Sequence, residues 1–259
     1  MSHEAGIRTA MHSTYLEITL TSPGTGNKLT RPLLAHMEKA LREADENICA
    51  VVLRHEGQVF CQGGDLGDYR HQDAGDVRAF GDSLTGALLS ILRCAVPVIA
   101  LISGAVAGGG FSLVEACDLA VCTEDSTFAI PEILGGLPPV ISFSGAYRSL
   151  PTKRLMYLAL LGRALSAREA LALGLVTEIA PEGEADGVCA GWLAALKEKS
   201  PSALRMIKEL RRQMDGYQYD RQLRDARDLL VQALLCSDAK TALDMRDLGQ
   251  QPLYGRGRP

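Results

Sequence analysis

No stretch of this 259-residue chain holds a run of about eighteen apolar residues, so no segment reads as a membrane-spanning helix. No charged–apolar–small signal pattern opens it either. CxxC is absent, and the seven cysteines are an odd number, which speaks against a disulfide framework. Cys49, Cys94, Cys117 and Cys122 lie inside apolar runs, where a free thiol behaves as a small hydrophobe. A reducing cytoplasm is the expected location. The five histidines are scattered, with no HxxxH and no paired Cys/His spacing, so no metal site is expected. Neither GxxxxGK[ST] nor GxGxxG occurs, which leaves a phosphate-cradling nucleotide loop and a redox dinucleotide without support. Excess positive charge is missing too. The formal net charge is −4, and the one basic block, Lys208 to Arg212, falls on a helical pattern and reads as a solvated face. Nucleic acid is thereby excluded as the main partner.

What the chain does have is apolar residues, 47% of the total, enough for one large core. It also has glycines set just past apolar runs. Val96 to Ile102 has strand length and β-branched content. Ser103-Gly104 ends it, Gly108-Gly109-Gly110 follows, and Phe111, Leu113, Val114 and Cys117 have helical spacing. Glycine there lets a ligand approach the backbone, and the free N–H groups of a first helical turn favour developing negative charge. An oxyanion hole needs such donors. A turn built only for close helix–strand packing has the same local sequence. Upstream, Cys49 to Leu53 is a second apolar run, followed by Val59-Phe60-Cys61-Gln62-Gly63-Gly64-Asp65-Leu66. Two such loops can each aim one main-chain N–H at a single carbonyl oxygen.

The remaining elements follow from periodicity. Tyr15 to Leu20 predicts a strand, Thr21 to Asn27 a turn cluster, and Pro32 to Ala44 an amphipathic helix. A helix is expected over 77–92, a strand over 119–122, and another over 127–130. Helices are expected over 140–150, 152–161 and 167–173, the last with Ser166 as N-cap. A short strand over 175–179 and helices over 185–199, 202–214 and 217–235 complete the chain. Spacing alone gives an α/β class. Residues 1–11 read as a disordered leader and Gly255 to Pro259 as a loose tail.

The combination FCQGGDL, then ISGAVAGGGFSLVEACDLAV, then FAIPEILGGLPP resembles the crotonase (enoyl-CoA hydratase/isomerase) superfamily, over nearly the whole chain. The resemblance implies a ββα spiral catalytic core over 12–195. It implies a C-terminal helical trimerisation region over 196–259 that also lids the site, hence a homotrimer or a dimer of trimers. It places Asn27 before the first helix. It makes Gly64 N–H and Gly109 N–H the donors to a thioester carbonyl oxygen, with Cys61, Gln62, Gly63, Asp65, Leu66, Gly108, Pro131 and Gly136 around the substrate. The carrier is coenzyme A or a protein-bound phosphopantetheine, with the CoA adenine against 61–66, and no separate cofactor is implied.

Hydratases of this family use two glutamates. The first position is Ser112 here; the second is Glu132. A serine hydroxyl cannot replace a carboxylate base near neutral pH without a partner. One glutamate suffices for Δ3,Δ2-enoyl-CoA isomerisation, removing a proton from C2 and returning it to C4. That activity is the expectation. Hydration or dehydration is the first alternative. A second is dehydration or decarboxylation of a carrier-bound glutaconyl-type group, with Tyr69 or His71 meeting an acyl carboxylate. A third is a non-catalytic acyl-CoA binder. For Glu132 the structural alternative is a buried carboxylate paired with Arg148 or Arg154. Glu115 is expected on a helix surface or in a salt bridge, and Cys61 in packing.

Overall fold

The structure, a computed structural model, describes residues 2–249 except 5, 46, 68 and 182. The expected loose tail lies outside the described residues. The chain winds in repeating steps: a strand in a large sheet, a strand in a small sheet, then a helix. β4 (Ala50–His55), β5 (Val59–Cys61) and α2 (Ala74–Arg93) make one step. β6 (Val98–Ile102), β7 (Ala105–Ala107) and α3 (Gly109–Ala116) make the next. β8 (Leu119–Thr123) and β9 (Thr127–Ala129) lead through a short 3-10 helix, Pro131–Gly135, into α4 (Val140–Ser149). The short strand 105–107 was not apparent in the sequence, because three residues give no periodicity to read.

The large sheet begins with β1 (Ser2–Glu4), β2 (Ile7–Met11) and β3 (Tyr15–Leu20) and runs β1-β2-β3-β4-β6-β8-β11, where β11 is Glu178–Ala180. The small sheet runs β10-β9-β7-β5, where β10 is Ala164–Ser166. In the small sheet β5, β7 and β9 are parallel neighbours. Their C-terminal ends therefore open on one edge, where an α/β sheet presents loops to a ligand.

The leader expected over 1–11 is instead largely sheet. Ile7–Met11 pairs antiparallel with all but the start of β3, Ile7 is fully buried, and Arg8 pairs with Glu56 at 2.7 Å. Ile7 and Met11 stand at the two ends with Arg8 and Thr9 between, which leaves no alternation to read, so tertiary pairing decides. A second difference lies at the C-terminus. The two helices expected over 202–214 and 217–235 are one, α8 (Pro201–Leu235), running through Gly216. Glycine costs a helix roughly 1 kcal/mol. The buried stripe Tyr219, Leu223, Ala226, Leu230 and Leu234 offsets this by packing α8 on α2 and α4.

The basic block is also corrected. Lys208 is 5% exposed; its Nζ donates to Asp118 Oδ2 at 2.6 Å and to the Ile91 carbonyl at 3.0 Å. Arg211 donates to Asp118 Oδ1 at 2.8 Å. Asp118 Oδ2 also accepts from Val98 N–H at 2.8 Å. This cluster fastens α8 to the start of β6, the strand that precedes β7 and the triple glycine. Four further helices are α1 (Arg31–Glu43), α5 (Thr152–Leu161), α6 (Ala167–Ala172) and α7 (Ala185–Lys197); α6 carries the expected Ser166 cap as a full capping box. The last helix, α9 (Ser237–Asp247), lies beside the 3-10 helix. No described helix is long and apolar enough to cross a membrane.

Candidate active site

Register brings the three motifs together. Cys61 of β5 pairs with Val106 of β7, and Val106 pairs with Phe128 of β9. Gly64 and Gly109 each stand three residues past this rung, and Glu132 stands four past it. The two loops touch: a Cβ built on Gly63 would lie 3.2 Å from Gly109 N, and one on Gly109 would lie 3.5 Å from Gly64 N. Main-chain bonds pin the first loop on both sides of Gly64. Leu29 N–H donates to Gly63 O at 2.8 Å, and Asp65 N–H donates to Leu29 O at 2.9 Å. Gly64 N–H and Gly109 N–H themselves have no hydrogen-bond partner among the described residues. They are two free donors at the mouths of adjacent parallel strands, with the first turn of α3 behind the second.

Beside them opens a cavity of about 500 Å³. Gln62, Gly63, Gly64, Asp65, Leu66 and Tyr69 line it from the first loop. Gly108, Gly109, Pro131 and Glu132 line it from the other two strand ends. Its inner wall is apolar, with Phe80 and Leu84 of α2, Ile141 of α4 and Leu230 of α8. Lys28 and Arg246 stand at its rim. Three expected site residues are not on the cavity wall. Cys61 lies behind it, fully buried, its Sγ accepting from Gly63 N–H at 3.3 Å, and burial pushes the thiol up to about 12. It packs, as expected. Ser112 lies behind Gly108, 3% exposed. Gly136 ends the 3-10 helix in the left-handed region at φ 73°, and it is Gly135 that faces the cavity.

Glu132 sits in the first turn of the 3-10 helix. Its Oε1 accepts from Ser142 Oγ at 3.2 Å, while Oε2 is buried without a partner. Burial raises its pKa above the usual glutamate value; its own backbone N–H and the Ser142 hydroxyl oppose the rise. Among the described residues neither Arg148 nor Arg154 pairs with it. Arg148 instead meets Glu115 at 3.6 Å and Asp215 at 3.0 Å, and covers the Tyr219 ring at 3.7 Å. Glu115 is thus in the expected salt bridge but not on a surface: it is 8% exposed, with Tyr219 OH donating to its Oε2 at 3.5 Å. Its carboxyl belongs to the α3–α4–α8 packing.

Tyr69 lines the cavity, but its hydroxyl donates to the Ala239 carbonyl at 3.2 Å, which ties the loop to α9. His71 is exposed. Asn27 is fully buried, with φ 53°. Its amide donates to the carbonyls of Glu56 and Val59, and its Oδ1 accepts from Ser22 N–H, which shapes the turn before Lys28. No group of three or more His, Cys, Asp or Glu side chains is arranged to hold a metal among the described residues. No local pattern pointed to Ser142, Lys28 or Arg246, each of which reaches the site from a different loop or helix.

A spiral of strand–strand–helix steps, with its small-sheet strand ends converging on one cavity, defines the crotonase-like fold class. An enoyl-CoA hydratase from Mycobacterium avium, solved by crystallography, superposes with a TM-score of 0.86 at 26% identity, covering 96% of this chain and 99% of that one. The enoyl-CoA hydratase/isomerase family model matches residues 11–246, and the chain belongs to that family. Two relatives from Arabidopsis thaliana share 30% identity with it. The peroxisomal Delta(3,5)-Delta(2,4)-dienoyl-CoA isomerase matches over 223 residues, 76% of this chain and 77% of that protein. The probable mitochondrial enoyl-CoA hydratase 2 matches over 201 residues, 75% of this chain and 66% of that protein.

Proposed function

We propose that this chain is an acyl-thioester isomerase with a single base. Gly64 N–H and Gly109 N–H hold the thioester oxygen, and Glu132 removes a proton from C2 of a 3-enoyl thioester. The electron pair moves into a dienolate whose charge rests on that oxygen. Glu132 then returns the proton to C4, leaving the 2-enoyl product. Fixed donors in a dry site are what such an intermediate needs. The relatives do not choose between activities, since an isomerase and a hydratase match at the same identity.

The observation that carries the choice is the carboxylate count. Glu132 lines the same cavity as the two amides, and its Oε2 is buried without a partner. Ser112 occupies the place of a second acid, and Glu115 is turned away into a salt bridge with Arg148. Asp65 also lines the cavity but is exposed. Adding water needs one group to activate it and another to protonate carbon. A raised pKa suits Glu132 to take up and give back a proton near neutral pH.

The apolar inner wall favours a hydrocarbon acyl group over a glutaconyl-type one, and the Tyr69 hydroxyl is already engaged. The cationic rim, Lys28 and Arg246, fits the phosphates of coenzyme A or of a carrier-bound phosphopantetheine. A homotrimer or a dimer of trimers belongs to the same proposal. Exposed apolar side chains on α5 (Tyr157, Leu160, Leu161) and α8 (Met206, Ile207, Leu210) are surfaces such an assembly would cover.

The test is Glu132→Gln with a 3-enoyl-CoA, following absorbance of the conjugated thioester, and with crotonyl-CoA in parallel. Isomerisation should fall by about 10²–10⁴, the span of general base catalysis. Wild-type turnover by the glutamine variant, or hydration outrunning isomerisation in the wild type, overturns the proposal.

A further inference from the structure

Ser112 Oγ donates to Ser142 Oγ at 3.1 Å. Ser142 Oγ has two acceptors in reach, Gly108 O at 3.1 Å and Glu132 Oε1 at 3.2 Å. Both serines are buried, each 3% exposed. A serine has one hydrogen to give. With Ser112 filling one of its lone pairs, Ser142 donates either to the carboxylate or to the carbonyl. The carbonyl is not a bystander: Gly108 C=O and Gly109 N–H belong to the same peptide unit.

We propose that Ser142 is a positioning residue that couples the base to the amide pair. It holds Glu132 by Oε1, so that Oε2 is the oxygen left to exchange a proton with substrate. While Glu132 is ionised, the Ser142 hydrogen is on Oε1, because a charged acceptor outcompetes a neutral one. When the substrate C–H bond breaks and the proton arrives on Oε2, Oε1 becomes a weaker acceptor. The hydroxyl then rotates to Gly108 O, exchanging one hydrogen bond for the other with no covalent bond made or broken. Donation to that carbonyl polarises the peptide and strengthens Gly109 N–H as a donor. The amide therefore grips hardest when the intermediate's oxygen carries its charge. This inference rests on Glu132 being the base.

Charged neighbours do not account for the arrangement. Ionisable groups on the surrounding elements are Glu115 on α3, Tyr147 and Arg148 on α4, and Lys153, Arg154 and Tyr157 on α5. On α9 they are Asp238, Lys240, Asp244, Arg246 and Asp247, and across the cavity Lys28, Asp65 and Tyr69. Glu132 forms an ion pair with none of them among the described residues, and Ser142 is the one side chain that holds its carboxyl there.

The experiment compares Ser142→Ala, Ser142→Thr and Ser112→Ala with the wild type. Two readouts are taken: the pH profile of kcat/KM for 3-enoyl-CoA, and the Glu132 carboxyl titration by ¹³C NMR without substrate. Removing a donor to the ionised form raises the carboxyl pKa. Ser142→Ala should therefore move both the titration and the acid limb of the profile up by about one pH unit. It should also lower kcat about tenfold on the plateau above that limb, where the weaker amide remains. Threonine should restore both, and Ser112→Ala should give a smaller shift in the same direction. A Ser142→Ala protein that folds and keeps the wild-type titration and profile overturns the coupling and leaves Glu132 as base untouched. Should Glu132→Gln itself turn over normally, the base assignment falls, and the NMR titration still decides whether Ser142 holds that carboxyl.

Discussion

A methyl group on Gly64 tests the amide pair without touching its chemistry. Gly64 has a backbone conformation open to any residue, so Gly64→Ala carries no left-handed strain. The obstacle is space. The new Cβ would stand 2.4 Å from Phe80 Cζ, 2.9 Å from Cε1 and 3.5 Å from Cε2. Carbon atoms pack best at roughly 3.5–4.0 Å, so the loop or the ring must move by about 1 Å. Phe80 is 7% exposed and held in the core, so much of the movement falls on the loop and on the N–H it carries. Losing or misplacing one such donor costs about 10²–10³ in kcat, roughly 2.7–4 kcal/mol of barrier. The loss should appear in kcat, because the charge it meets exists only in the transition state and the intermediate. Phe80→Leu removes all three of these ring atoms, including the two that clash. The double variant Gly64→Ala/Phe80→Leu should therefore recover at least tenfold of what the single variant loses, a coupling of about 1.4 kcal/mol. Phe80→Leu alone should cost less than tenfold. The assay is steady-state isomerisation of a 3-enoyl-CoA by the four proteins of the cycle. A fully active Gly64→Ala would show that this amide is not a donor to the reacting oxygen. An additive cycle would show that Phe80 is not what holds the amide in place.

Two further outcomes follow from groups whose burial is unusual. Glu132 has a raised pKa in the fold, so its protonated form is favoured there and its ionisation costs stability as pH rises above the unfolded value. Glu132→Gln should accordingly be more stable than the wild type at pH 7–8, by about 1.4 kcal/mol for every pH unit that burial adds to this pKa. The gain should vanish below about pH 4, and an equal advantage at every pH in urea unfolding would refute the linkage. Lys208→Met removes one partner of a buried pair while Arg211 and Val98 N–H still serve Asp118. It should cost about 2–3 kcal/mol in urea unfolding, below the roughly 3–5 typical when a buried charge is left alone. A change within about 0.5 kcal/mol, the ordinary scatter of surface substitutions, would return Lys208 to a solvated role.

Much of this site was legible because its chemistry is local. A glycine loop after an apolar run is a short-range signal, and Gly64, Gly109 and Glu132 each sit within four residues of the strand end that delivers them. Helices with a one-sided apolar stripe were equally readable; Thr152–Leu161 has its expected bounds. What escaped was decided at long range. Ile7–Met11 becomes a strand only because β3 is there to pair with it. Lys208 looked like a surface residue because its helix spacing is polar, and its partner Asp118 stands ninety residues away. Arg148 was a plausible partner for Glu132 by proximity in sequence, yet the turn of α4 sends it to Glu115 and Asp215.

Ser142 is the most instructive of these omissions. Nothing in Val140-Ile141-Ser142-Phe143 marks that serine as different from Ser144, two residues on. Ser144 bonds back to the Val140 carbonyl of its own helix, as helical serines commonly do. Ser142 points the other way, into the junction of α3, the Gly108 turn and the 3-10 helix, and finds three partners there. Helical rotation separates the two roles: residues two apart lie on opposite sides of a helix, so one meets its own backbone and solvent and the other meets the site. The proposed base, Glu132, is readable from a Pro-Glu pair after a strand. The serine that bonds its carboxyl depends on which face of α4 packs inward, and only the assembled spiral fixes that face.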